Sequence, residues 1–115
     1  DNENYIYLIG SDKISTELDF IAQKANSEFT NLDLDYKYNA ENDSNRYYYR
    51  SDHYNFALKG VPVIFFFNCE HEDYSKPTDT ADKINYPLLT KRAKLIFATA
   101  WYLANADKRL IPEII

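Results

Sequence analysis

Seven residues, "VPVIFFF" from Val61 to Phe67, constrain this chain more than any other stretch. The run is apolar at odd and even positions alike, so a strand through it needs cover on both sides. That reads as a central strand with parallel neighbours and helices over each face. Pro62 fits only near the strand's start, because it donates no ladder hydrogen bond. Just upstream, Ser51 or Asp52 is placed to cap a short helix carrying Phe56 and Ala57, and Gly60 is placed to end it.

Other segments supply the partners. "NYIYLIGS" is a β-branched and aromatic run closed by Gly10, a strand followed by a turn. From about Ser15, Leu18, Ile21, Ala22, Ala25 and Phe29 recur at helical spacing, with Glu17 and Asp19 suited to the positive end of a helix. "LDLDYKY" alternates Leu32, Leu34, Tyr36 and Tyr38 with polar residues, which predicts a half-buried strand or extended segment. "NAENDSNR" is a polar loop, and Thr78, Asp79 and Thr80 offer caps for a short helical turn. Leu89, Ala93, Ile96, Phe97, Ala100 and Leu103 form a helical stripe reaching about Ala104. That stripe is expected to cover the sheet with Phe97 in the core, Trp101 near the rim, and Lys91 and Lys94 in solvent. The order of elements predicts an α/β layer architecture.

Composition excludes several function classes. A net charge of −5 and the absence of a Lys/Arg-rich run argue against nucleic acid, whose phosphates need a positive face. No apolar run approaches the ~20 residues of a membrane helix. The single cysteine, Cys69, precludes an internal disulfide framework. With 17% aromatic residues, eleven of them tyrosine, a chain of 115 residues has material for one small core.

Two clusters carry candidate chemistry. "RSDH", Arg50 to His53, holds a serine, an aspartate and a histidine, but consecutive residues diverge around a helix start and cannot converge as a hydrolytic triad. "CEHED", Cys69 to Asp73, mixes soft and hard ligands without the spacing of a zinc knuckle or of an H-E-x-x-H helix. By themselves the first reads as a helix cap and the second as a solvated loop. Cys69 reads as a small packed residue.

In order along the chain, "YYYRSDHYNFALKGVPVIFFF", "HEDYSKPTDTADKINY" and "KLIFATAWYLAN" resemble the C-terminal part of bacterial zinc aminopeptidases. These belong to a dizinc metallopeptidase family that includes aminopeptidase Y and glutaminyl cyclase relatives. The upstream "NYIYLIGSDKISTEL" and "LDLDYKY" extend the likeness over nearly the whole sequence. The resemblance implies a three-layer αβα fold with a mixed sheet, of which residues 1–115 would form a single partial domain, the C-terminal half. It also implies zinc as cofactor, a peptide substrate, release of N-terminal amino acids, and a periplasmic or extracellular setting.

The same resemblance assigns roles to residues. One zinc ligand is expected four residues before the aspartate of Asp79–Thr80, where the family pattern has histidine and this chain has Ser75. A serine hydroxyl is a poor zinc ligand beside an imidazole. His71 is a weak substitute, four residues early. Tyr74 matches a tyrosine that contacts the oxyanion in some relatives, while Asp52, His53 and Asp73 border the pocket. Most of the metal ligands and the glutamate base belong to upstream motifs, none of which appears here.

The expectation is therefore a fragment or degenerate member that binds no zinc and is inactive as this chain alone. Two alternatives stand beside it. One is a non-catalytic binding module that completes its sheet as a homo-oligomer. The other is an active enzyme whose missing half comes from another chain.

Overall fold

The computed structural model describes residues 3–113. Its elements are β1 (Tyr5–Ile9), α1 (Thr16–Phe29), β2 (Asp33–Asp35), α2 (His53–Ala57), β3 (Phe65–Phe67) and α3 (Tyr86–Ala104), with short 3₁₀ turns between several of them. The strands make one mixed sheet in the order β2-β1-β3, with β1 parallel to β2 and antiparallel to β3. The fold is α/β, a small sheet flanked by helices.

Register sorts the side chains. Ile6 pairs with Leu34 and Leu8 with Phe66, which puts these four residues on one face. That face packs under α1 and α3 through Ala22, Ala25, Leu95 and Ala98. Tyr7 pairs with Phe67 and Ile9 with Phe65, so the other face carries aromatic rings. The rings of Tyr38 and Tyr47 and the start of α2 lie over it, His53 stacking 4.7 Å from Phe65.

The central strand is β1, which corrects the expectation for Val61 to Phe67. Only Phe65–Phe67 joins the ladder, at the sheet's edge and antiparallel to β1, while Val61 is 40% exposed. The run is apolar on both sides because each face of even this edge strand is covered, by helices on one side and rings on the other. Cover does not require a central position.

Gly10 closes β1 at φ +87, and a Cβ there would lie 2.6 Å from the ring of Tyr48. The turn therefore needs glycine for its backbone and for the ring that presses on it. Gly60, at φ +77, lets the Val61 N–H reach back to the Phe56 carbonyl and ends α2 as expected. Neither Ser51 nor Asp52 caps α2, since Asp52 is itself helical and its side chain makes no cap bond.

The stripe on α3 is also corrected. Leu95, Ala98 and Thr99 are buried, whereas Leu89 is 50%, Ile96 43% and Phe97 69% exposed. The helix is apolar most of the way round, so periodicity selects its outer face as readily as its inner one. Trp101 stands in solvent. Lys91 does not, because its ammonium donates to Asn4 Oδ1 at 2.6 Å.

Candidate functional site

Cys69, one residue past Asn68 and two past the end of β3, takes a left-handed φ of +75, which turns the chain out of the sheet. The loop beyond it is built of tight turns, with the N–H groups of Tyr74, Lys76 and Asp79 donating to the carbonyls of His71, Asp73 and Lys76. Asp73 is its anchor. Thr78 Oγ1 donates to it at 2.7 Å and Lys83 Nζ at 3.2 Å, and these donors hold its carboxyl below the usual aspartate range.

His71 is tied to the loop through Nδ1. Nδ1 accepts from the Asp73 N–H at 3.2 Å, and Nε2 lies 3.8 Å from Asp79 Oδ2. Tyr74 is 52% exposed, and Ser75 stands exposed at φ +59. Beneath the loop lies a cleft of about 680 Å³, lined among others by His71, Asp73, Asp79, Lys83, Asn85 and Arg92. Asn85 caps α3 through Leu88 N–H, and Arg92 donates from Nε to the Tyr5 carbonyl.

Asp52 and His53 sit at the start of α2. His53 Nε2 lies 2.6 Å from the Tyr48 carbonyl, and burial pushes its pKa below the ordinary histidine value. The neighbouring Arg50 pairs with Glu70 at 3.0 Å, tying the α2 entry to the loop after β3. The two motifs are thus linked, through Arg50 and Glu70 rather than through the residues given site roles. No hydrogen bond joins His53 itself to Asp73, Tyr74 or Ser75 among the described residues.

The family model described as Peptidase family M28 matches residues 2–100. The chain belongs to peptidase family M28. No curated protein and no solved structure matches it. The family is generally zinc-dependent, so this chain's donors can be tested against such a site.

They do not fit. Among the described residues, no three His, Cys, Asp or Glu side chains stand close enough together to hold a metal ion. Ser75 offers a neutral hydroxyl from an exposed turn. His71 already spends Nδ1 on the loop backbone, and the carboxyl of Asp73 is taken by Thr78 and Lys83. Lys83 and Asn85 were within reach of sequence reading, ten and twelve residues beyond Asp73 in the same polar segment. Arg92 and the Arg50–Glu70 pair carried no local signal.

Proposed function

We propose that this chain forms the rim of a peptidase-type site and does not itself release amino acids from peptides. It is a fragment or a degenerate member of the M28 family in which the loop after β3 faces the peptide. The carrying observation is the donor set: Ser75 at the expected ligand position, with no cluster of three metal-binding side chains among the described residues. Tyr74, projecting beside Ser75, is the residue placed to touch a bound peptide. Asp73 is a positioning residue, holding the loop through Thr78 and Lys83.

Zinc titrated calorimetrically into the purified chain should give no stoichiometric binding at micromolar concentration, and an aminoacyl anilide should stay intact with or without zinc. Ser75→His alone should restore neither, because a catalytic zinc needs about three protein ligands. Tight binding by the unmodified chain, lost in His71→Ala, would show that His71 has taken over as ligand and would overturn the proposal.

A further inference from the structure

The chain carries more acid than base, yet one of its grooves is walled by cations alone. Gly60 turns the end of α2 into residues 61–64, which run outside the ladder. The tail after α3 lies beside them, and a groove of about 510 Å³ opens between the two. Val61, Leu103 and Leu110 are among its apolar walls, and Lys59, Lys108 and Arg109 are its only charged residues among those described. Two acids flank it in the tail. Asp107 lies outside the lining, and Glu113 is engaged at the start of α1. Its carboxylate accepts from the Thr16 hydroxyl at 2.9 Å, and its N–H donates to the Ile14 carbonyl at 2.8 Å.

The three cations are without partners. Elsewhere Arg50 and Lys83 pair with Glu70 and Asp73, and Lys91 and Arg92 donate to Asn4 and to the Tyr5 carbonyl. Lys13, Lys24, Lys37 and Arg46 lie over tyrosine rings. Among the described residues, Lys59, Lys76, Lys94, Lys108 and Arg109 have no such contact. Three of these five share the one groove. Gathered without a counter-charge, they make a local positive field on a molecule of net charge −5, and that field draws an anion to this place. The backbone beside them is open as well. The N–H groups of residues 107–111 donate to nothing among the described residues, although the tail is held at both ends, Ala106 by Leu103 and Glu113 by Ile14.

We infer that this groove docks an acidic peptide segment of a partner, its carboxylates against Lys59, Lys108 and Arg109 and an apolar side chain against Leu103 and Leu110. A nucleic acid or an anionic membrane presents a broad charged surface to the whole molecule, whose net charge repels it. A groove admits a single segment. A peptide also brings carbonyls to the free N–H groups, and a guanidinium such as that of Arg109 takes a carboxylate through two parallel hydrogen bonds. No residue of the loop after β3 lines the groove, so docking here is separate from the proposed rim.

The test uses a fluorescein-labelled, N-acetylated peptide of alternating glutamate and leucine, titrated into the unmodified chain and followed by fluorescence anisotropy. The acetyl group removes the free amino terminus that an aminopeptidase needs. Binding that weakens as salt rises is expected, and the lysine–leucine counterpart should not bind. Lys108→Glu combined with Arg109→Glu should weaken binding about tenfold or more, and Lys59→Glu, outside the tail, should weaken it too. Lys76→Glu combined with Lys94→Glu makes the same change in net charge elsewhere and should alter binding far less. All five side chains are exposed, so the variants should melt where the unmodified chain does. Equal loss in both pairs of substitutions would reduce the effect to net charge and overturn the inference. So would no binding of the acidic peptide, or its displacement by inorganic phosphate at similar concentration, which would leave a plain anion site. Sedimentation with anionic vesicles in place of peptide binding, lost in the Lys108 and Arg109 pair, would give the groove to a membrane and overturn it as well. Self-association lost in that pair would give the groove to a second copy, with the same consequence.

Discussion

At the scale of residues, His53 makes the most direct statement about pH. A carbonyl only accepts, so the contact with the Tyr48 oxygen puts the neutral ring's proton on Nε2. Burial lowers the folded pKa, so the unfolded chain takes up its proton first as pH falls. The resulting stability is complete above the unfolded value of about 6.5 and is lost as pH falls through the lowered folded value. The melting temperature should therefore decline as pH falls below about 6.5, and His53→Gln should flatten that decline. A decline unchanged in the variant would assign the titration to another group. Asn26 is the counterpart in the core. Its amide donates to the Leu32 carbonyl, and its oxygen accepts from the Leu32 N–H and the Thr30 hydroxyl, all at 2.8 Å. Asn26→Ala leaves buried groups unpartnered and should cost about 2–3 kcal/mol in chemical denaturation; a loss under about 0.5 kcal/mol would mean that water replaces it. Such residues were hard to foresee. Apolar periodicity is visible in a sequence, whereas the partners of a polar side chain are set by turns that bring distant segments together.

At the scale of elements, the apolar patterns located the helices and strands and misjudged which way they face. The alternation around Leu34 marks β2, but only Asp33–Asp35 pairs, parallel to β1, and the expected run gives way to a 3₁₀ turn at Lys37–Asn39. The run from Val61 to Phe67 did not yield its place, because an edge strand covered on both sides has the composition of a central one. Amide exchange should separate the two, slowest in β1 and faster at Val61, Val63 and Ile64, which lie outside the ladder. Slow exchange throughout residues 61–67 would reinstate the central strand. On α3 the discriminating pair is Leu95, fully buried, and Phe97, mostly exposed. Leu95→Ala should cost about 2–5 kcal/mol, in line with cavities left by buried aliphatic residues. Phe97→Ala should cost less than about 0.5 kcal/mol. The reverse order would mean that the helix is rotated about its axis. The candidate site was legible to the same degree: the loop and its acids could be named, but the cleft beneath it required the packing of α3, which brings Asn85 and Arg92 to the loop.

At the scale of the whole molecule, the outer face of α3 carries exposed apolar side chains. Phe29, Phe97 and Trp101 line a shallow apolar groove of about 350 Å³ with Lys94 and Ala98, and Ile96 and Leu89 are exposed along the same helix. From their exposures, the three aromatic residues alone present roughly 400 Å². That matches the largest apolar patch of an ordinary monomer, about 300–600 Å², and is only about half of one side of a standard interface. In pure solution the available apolar partner is a second copy, and a patch of this size supports weak pairing. The net charge of −5 opposes the encounter of two copies, and added salt screens that repulsion while leaving apolar contact intact. Sedimentation at rising concentration should therefore show a weak dimer that strengthens with salt, as a dimer held by ion pairs would not. Phe97→Glu should abolish the association with no drop in melting temperature, because the ring makes little contact within its own chain. Pairing that survives Phe97→Glu and weakens with salt would move the contact to a charged surface. A variant that melts markedly lower would show that Phe97 packs within the chain after all.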